Sequence, residues 1–190
     1  MTECKPNWGA DSFHLTRAAR CLRRGGVVAH ATEGVWGLAC DPFNANAVGR
    51  LLTLKARDRN KGLIVIAADP SYFAAELAAL DADCQAAVLT SWPGPVSWAV
   101  PNQRFAAWIT GQHTSVAIRV PGHAQAQALC SMFDGPLVST SANLAGRAST
   151  KNVLKVRKWF GDRLDYVLPG STGDRTRPSE IRTVTGRVLR

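Results

Sequence analysis

Five consecutive apolar residues, Leu63-Ile64-Val65-Ile66-Ala67, restrict this chain's fold more than any other feature. The run has no polar alternation, and it reads as a strand buried on both faces, as in a sheet covered by helices. Segments of two different periods surround it. Residues 12–24 carry Phe13, Ala18, Cys21 and Leu22 near helical spacing, with Ser12 as a cap and Gly25-Gly26 as a stop. Residues 27–31 form a short, mostly apolar strand. Residues 45–55 return to helical period through Val48, Leu51, Leu52 and Leu54. Asp69-Pro70 opens another helix, with proline in its first turn. Residues 82–91 read as a helix ending before the turn Trp92-Pro93-Gly94-Pro95.

The second half repeats the alternation. Residues 96–100 and 115–120 read as strands, 123–133 as a helix, 136–140 as a strand, 151–160 as a helix and 166–168 as a short strand. Residues 180–190 suit a hairpin around Thr185-Gly186. Interleaved strands and helices argue for an α/β fold with a mixed sheet, and 190 residues suit one domain over 1–190.

Composition narrows the partners. The net charge is +9, and residues 147–190 hold 11 Lys/Arg against 4 Asp/Glu. Such an excess suits anionic ligands such as nucleotides, RNA or acidic metabolites, although a solvated basic surface gives the same count. The cysteines (Cys4, Cys21, Cys40, Cys84, Cys130) are odd in number and widely spaced, and the four histidines form no HxH or HxxxH pair. Neither a disulfide framework nor a structural metal is expected. No apolar run approaches a membrane span, and Glu3 and Asp11 spoil a signal-peptide pattern, so a cytoplasmic protein is expected. The chain contains no GxxxxGK[ST], GxGxxG or GxSxG motif, which weakens readings as a P-loop ATPase, dehydrogenase or serine hydrolase.

Four constellations carry chemistry. Lys55, Arg57, Arg59 and Lys61 fall at alternate positions; if extended, they share one face, where repelling charges make sense around a triphosphate. A solvated basic loop is the plainer alternative. Ser139-Thr140-Ser141-Ala142-Asn143 follows a strand and offers hydroxyls and an amide without bulk, as an ordinary polar turn also does. Residues 31–38 bracket an aromatic with Gly34 and Gly37, a loop open to a ligand or a capped turn leading into the next helix. Arg119 sits in an otherwise apolar strand and needs an anionic partner if buried, or an exposed edge if not.

The order of ATEGVWGL, KxR…KGLIVI, WPGPV, SVAIRVP, STSANLAG and RPSEIR resembles the YrdC/TsaC family from about residue 15 to the C-terminus. The resemblance implies a twisted mixed sheet flanked by helices, with a concave basic surface. It implies synthesis of threonylcarbamoyl-AMP and pyrophosphate from ATP, L-threonine and bicarbonate or CO2, with Mg2+ accompanying ATP. The product serves N6-threonylcarbamoyladenosine formation at position 37 of ANN-reading tRNAs, through transient partners of the transferase machinery.

On matching positions, Lys55, Arg57, Arg59, Lys61, Ser115, Ser141, Asn143, Ser149 and Ser179 are expected at ATP. Thr32, Arg119 and Ser139 are expected at threonine. Lys55 and Arg57 are expected to stabilise charge, with no protein nucleophile. Three positions depart from the family pattern: Ala31 stands where proline is usual, Asp58 where proline is common, and Ala145 where serine is frequent. Asp58 places an acid among the cations. The competing reading is a non-catalytic protein binding double-stranded RNA or tRNA, or acting in ribosome maturation, through the same charge and six tryptophans.

Overall fold

A computed structural model describes residues 9–175 and 179–189. Cys4, and the Arg177-Pro178 that open the last motif, lie outside the described residues. Among the described residues, eight strands form a single sheet: β1 (Val28–Ala31), β2 (Trp36–Cys40), β3 (Ile64–Ile66), β4 (Val96–Pro101), β5 (Ser115–Arg119), β6 (Leu137–Ser141), β7 (Tyr166–Val167) and β8 (Glu180–Thr183). Their order is β7-β1-β2-β6-β3-β5-β4-β8. The pairs β7/β1, β3/β5 and β4/β8 are parallel and the other four antiparallel, so the sheet is mixed, as expected. The apolar run becomes β3, held between β5 and β6, with Val65 and Ile66 fully buried.

Among the described residues, seven α-helices accompany the sheet: α1 (Gly9–Arg23), α2 (Ala45–Lys55), α3 (Ala74–Ala78), α4 (Ala82–Thr90), α5 (Ala107–Thr110), α6 (Ala124–Phe133) and α7 (Val153–Phe160). Side chains alternate across strands, so each strand serves two layers. On one face, Leu51 and Leu52 of α2, Leu77 of α3, Val88 of α4 and Phe160 of α7 pack over Leu38, Val65, Val138 and Ile118. On the other, Leu15, Ala18 and Leu22 of α1 and Leu129 of α6 pack over Val28, Ala39, Ile66 and Leu137. Burying each such leucine stabilises by roughly 1.5–3 kcal/mol.

Local chemistry explains the boundaries. Asn44 caps α2 by accepting from the Ala47 N–H at 3.0 Å, and Ala56 ends it in the left-handed region at φ 49°. Asp69 accepts from the Ser71 N–H at 2.8 Å and begins a 3-10 turn, Pro70–Phe73, that leads into α3. The terminal hairpin forms around Thr185-Gly186, with Gly186 at φ +81° and the Thr183 N–H donating to Arg187 O.

Three expectations fail. Ser12 lies inside α1, which already runs from Gly9, and so does not cap it. Residues 36–40 are a fully buried strand rather than part of a loop or a turn into a helix. The segment Trp36-Gly37-Leu38-Ala39-Cys40 has no β-branched residue to announce a strand; its pairing with β1 and β6 decides. The cationic stretch is not extended either. After Ala56 turns left-handed, Arg59–Lys61 form a 3-10 turn capped by Asp58, which accepts from the Asn60 N–H at 2.9 Å. Its four cations therefore do not share one face.

Candidate active site

The face that carries α1 and α6 is only partly covered. Register places Gly37 on it opposite both His30 and Ser141, Ala39 opposite Ser139, and Ile64 opposite Ala117. Where the helices stop, Gly37, Ile64, Ala99, Ser115, Ala117, Ser139 and Ser141 floor a cavity of about 450 Å³. Most of these side chains are small, and that leaves the space empty. The walls come from loops: Thr32–Val35, the turn before β3 with Thr110 and His113, Asn143 to Ser149, Arg175, and Ile181 with Leu189 from the terminal hairpin.

The cavity gathers most of the expected residues. Thr32, Arg57, Lys61, Ser115, Arg119, Ser139, Ser141, Asn143, Ser149 and Ser179 line it, while Lys55 and Arg59 do not. Arg59 is exposed on the 3-10 turn, because that turn rotates it away from its neighbours. Lys55 is only 3% exposed and lies behind the wall. Its Nζ donates to Ser141 O, to Asn143 O at 2.9 Å and to Asn143 Oδ1 at 3.4 Å. The end of α2 thus holds the loop after β6, and the Ala145 N–H reinforces it by donating to Lys55 O at 2.8 Å. Burial first, then the nearby Arg57, pull the Lys55 ammonium down to about 8. Arg57 donates to Gly62 O at 2.9 Å, which orders the turn.

Arg119 is buried and has the acid it needs. Its Nη1 lies 3.2 Å from Glu33 Oε1, which also accepts from the Gly122 N–H at 2.8 Å. Burial lowers the Arg119 pKa and Glu33 opposes that shift. The Arg119 Nε is buried without a hydrogen-bond partner, so part of the guanidinium's donor capacity is unused. Sequence reasoning did not select Glu33, Arg147, Arg175 or His113. Glu33 adjoins Thr32, but its partner lies 86 positions away and no local pattern announces the pair.

Hydroxyl geometry completes the floor. Thr32 Oγ1 donates to Val35 O at 2.7 Å, and Ser141 Oγ donates to Asn143 Oδ1 at 2.5 Å. The Asn143 amide in turn donates to Arg147 O. The loop after β1 is tied down from behind, where the Trp36 N–H donates to Thr150 O, the Gly173 N–H to Thr32 O and the Arg175 N–H to Glu33 O.

The family described as "Telomere recombination" (Sua5/YciO/YrdC) matches residues 20–190. This chain belongs to the Sua5/YciO/YrdC family. Among family members, the threonylcarbamoyl-AMP synthase of Pseudomonas aeruginosa is 50% identical over 95% of this chain and 98% of that protein. The synonymous protein of Halorhodospira halophila is 48% identical over 96% and 95% respectively. P. abyssi Sua5, solved with L-threonine, superposes with a TM-score of 0.86 at 27% identity; it covers 93% of this chain, which spans 53% of Sua5. Escherichia coli YciO shares the fold, with a TM-score of 0.80 at 19% identity. No helix among the described residues is long and apolar enough to cross a membrane.

Proposed function

We propose that this chain, acting as one domain, makes threonylcarbamoyl-AMP and pyrophosphate from ATP, L-threonine and bicarbonate or CO2. One observation carries the proposal. A single cavity has a buried arginine with a spare donor on one side and Arg57 and Lys61 beside a serine- and asparagine-bearing loop on another. Full-length similarity to threonylcarbamoyl-AMP synthases supports the same reading.

In this scheme Arg119 receives the threonine carboxylate, and Thr32 and Ser139 contact the rest of the amino acid. Arg57, Lys61, Ser115, Ser141, Asn143, Ser149 and Ser179 hold the nucleotide, and Arg147 and Arg175 add charge. The threonine ammonium first gives a proton to water; the free amine attacks CO2, which bicarbonate supplies by dehydration, and a second proton passes to water to leave a carbamate. A carbamate oxygen then attacks the α-phosphorus, and the bond to the β-phosphate oxygen breaks to release pyrophosphate. The protein supplies alignment and positive charge where negative charge builds up. Lys55 acts by holding the Ser141–Asn143 loop rather than by touching phosphate.

Mg2+ enters on the nucleotide. Among the described residues no cluster of His, Cys, Asp or Glu could hold a metal, and Glu33, the one acid lining the cavity, is engaged by Arg119 and Gly122. Triphosphate oxygens and water suit Mg2+ well. The product's use is threonylcarbamoylation of tRNA adenosine 37 by partner enzymes. Cys21, Cys40, Cys84 and Cys130 are free thiols, which suits the reducing cytoplasm.

The test is product identification by mass spectrometry after incubation with ATP, L-threonine and bicarbonate. Pyrophosphate release should require both threonine and bicarbonate, and release that ignores threonine sinks the proposal. Tight, salt-sensitive RNA binding that neither ATP nor threonine alters, without turnover, would favour the non-catalytic reading instead.

A further inference from the structure

His30 takes no part in the chemistry above, yet its ring is fully buried beside the cavity floor. It projects from β1 across β2 towards β6, and this path is open because the residue opposite it on β2 is Gly37. A Cβ on Gly37 would stand 3.1 Å from His30 Nε2. The ring reaches two partners. Nδ1 lies 3.1 Å from Ala31 O, and Nε2 lies 3.3 Å from Ser139 Oγ.

These contacts dictate where the hydrogens sit. A carbonyl oxygen only accepts, so Nδ1 carries the ring proton. Burial also drives the ring pKa down to about 4, which keeps the imidazole neutral. Nε2 is then a bare lone pair, and Ser139 must donate to it. The Ser139 hydrogen points away from the cavity, and its oxygen offers lone pairs to whatever fills the space. Thr32 and Ser141 are in the same state, because Val35 O and Asn143 Oδ1 have taken their hydrogens. Around Gly37 the floor therefore presents hydroxyl oxygens that can only accept.

We propose that His30 is a positioning residue that fixes Ser139 as a hydrogen-bond acceptor, and so selects a ligand presenting N–H groups there. Threonine does so through its ammonium, and its carbamate still holds one N–H. With the carboxylate on Arg119, the nitrogen would be held where it must take up CO2. This inference rests on the synthase reading above.

The experiment compares wild type, His30→Phe, His30→Gln, Ser139→Ala and the double variant His30→Phe/Ser139→Ala in threonine-dependent pyrophosphate release. Phenylalanine keeps the ring volume and removes the acceptor; glutamine retains an acceptor near Nε2. His30→Phe should raise the threonine KM roughly five- to tenfold with kcat and the ATP KM within about twofold, and His30→Gln should recover much of that loss. Adding His30→Phe to Ser139→Ala should change nothing further, since the acceptor it orients is gone. A His30→Phe effect that persists undiminished without Ser139, or that falls equally on ATP, overturns the proposal. Imidazole 15N shifts of the wild-type protein, assigned by signals lost in His30→Gln, give a reading independent of variant folding. The Nδ1–H tautomer is expected, and an Nε2–H tautomer overturns it. Failure of the synthase reading itself would look different, because wild type would then show no threonine-dependent turnover.

Discussion

Replacing Lys55 with methionine keeps most of the side-chain stem and removes the ammonium. Ser141 O and Asn143 O then lose a buried donor, at a cost of about 1–3 kcal/mol each. An opposing effect comes from the charge itself. Burial lowers the Lys55 pKa from 10.5 to about 8, so the native state at neutral pH carries a penalty of about 3 kcal/mol for keeping it protonated. The two effects oppose each other, and the variant should fall between a gain of about 1 and a loss of about 3 kcal/mol of unfolding free energy. Activity should suffer far more. With the Ser141–Asn143 loop released, threonine-dependent pyrophosphate release should drop about 10²- to 10³-fold.

The same shift gives Lys55→Met a signature in pH. The folded pKa lies below the unfolded one, so between about pH 8 and 10.5 the unfolded chain binds the extra proton and wild-type stability rises with pH. Relative to Lys55→Met, wild type should gain about 3 kcal/mol across that window. Urea melts of both proteins at about pH 7.5 and about pH 10 measure it. Parallel profiles, or a variant retaining more than about a tenth of wild-type turnover, would refute the reasoning.

Glu33→Ala leaves the buried Arg119 without its acid, and guanidinium melts should show a loss of about 3–5 kcal/mol; a loss under about 1 kcal/mol would mean the pair is not truly desolvated. Arg57→Ala should raise the ATP KM or lower kcat at least tenfold, whereas Arg59→Ala, exposed and outside the cavity, should stay within about twofold. Equal losses from both would restore the single-faced row of cations that the turn excludes. Gly37→Ala pushes a methyl to 3.3 Å from Thr32 Cγ2 and 3.4 Å from Thr140 O as well as against His30. It should cost about 1–3 kcal/mol of stability and raise the threonine KM more than the ATP KM, and unchanged steady-state kinetics would argue against a tight floor there.

Much of the architecture follows from the sequence alone, because its causes are local. The apolar run at 63–67, the Asp69-Pro70 start and the stop at Gly25-Gly26 act within a few residues of themselves. They yield the α/β alternation and a buried central strand directly. Ten of the residues that the motifs single out line one cavity.

Tertiary structure decided the rest. Strand β2 lacks β-branched residues and exists because β1 and β6 flank it. The cations at 55–61 look like a row in one dimension, but a left-handed Ala56 and a 3-10 turn scatter them, sending Lys55 behind the wall and Arg59 to solvent. Arg119 meets Glu33, and His30 meets Ser139, across separations of 86 and 109 residues. No periodicity encodes such meetings: sequence patterns report neighbours along the chain, whereas charge pairing and hydroxyl orientation depend on which strands the sheet sets side by side.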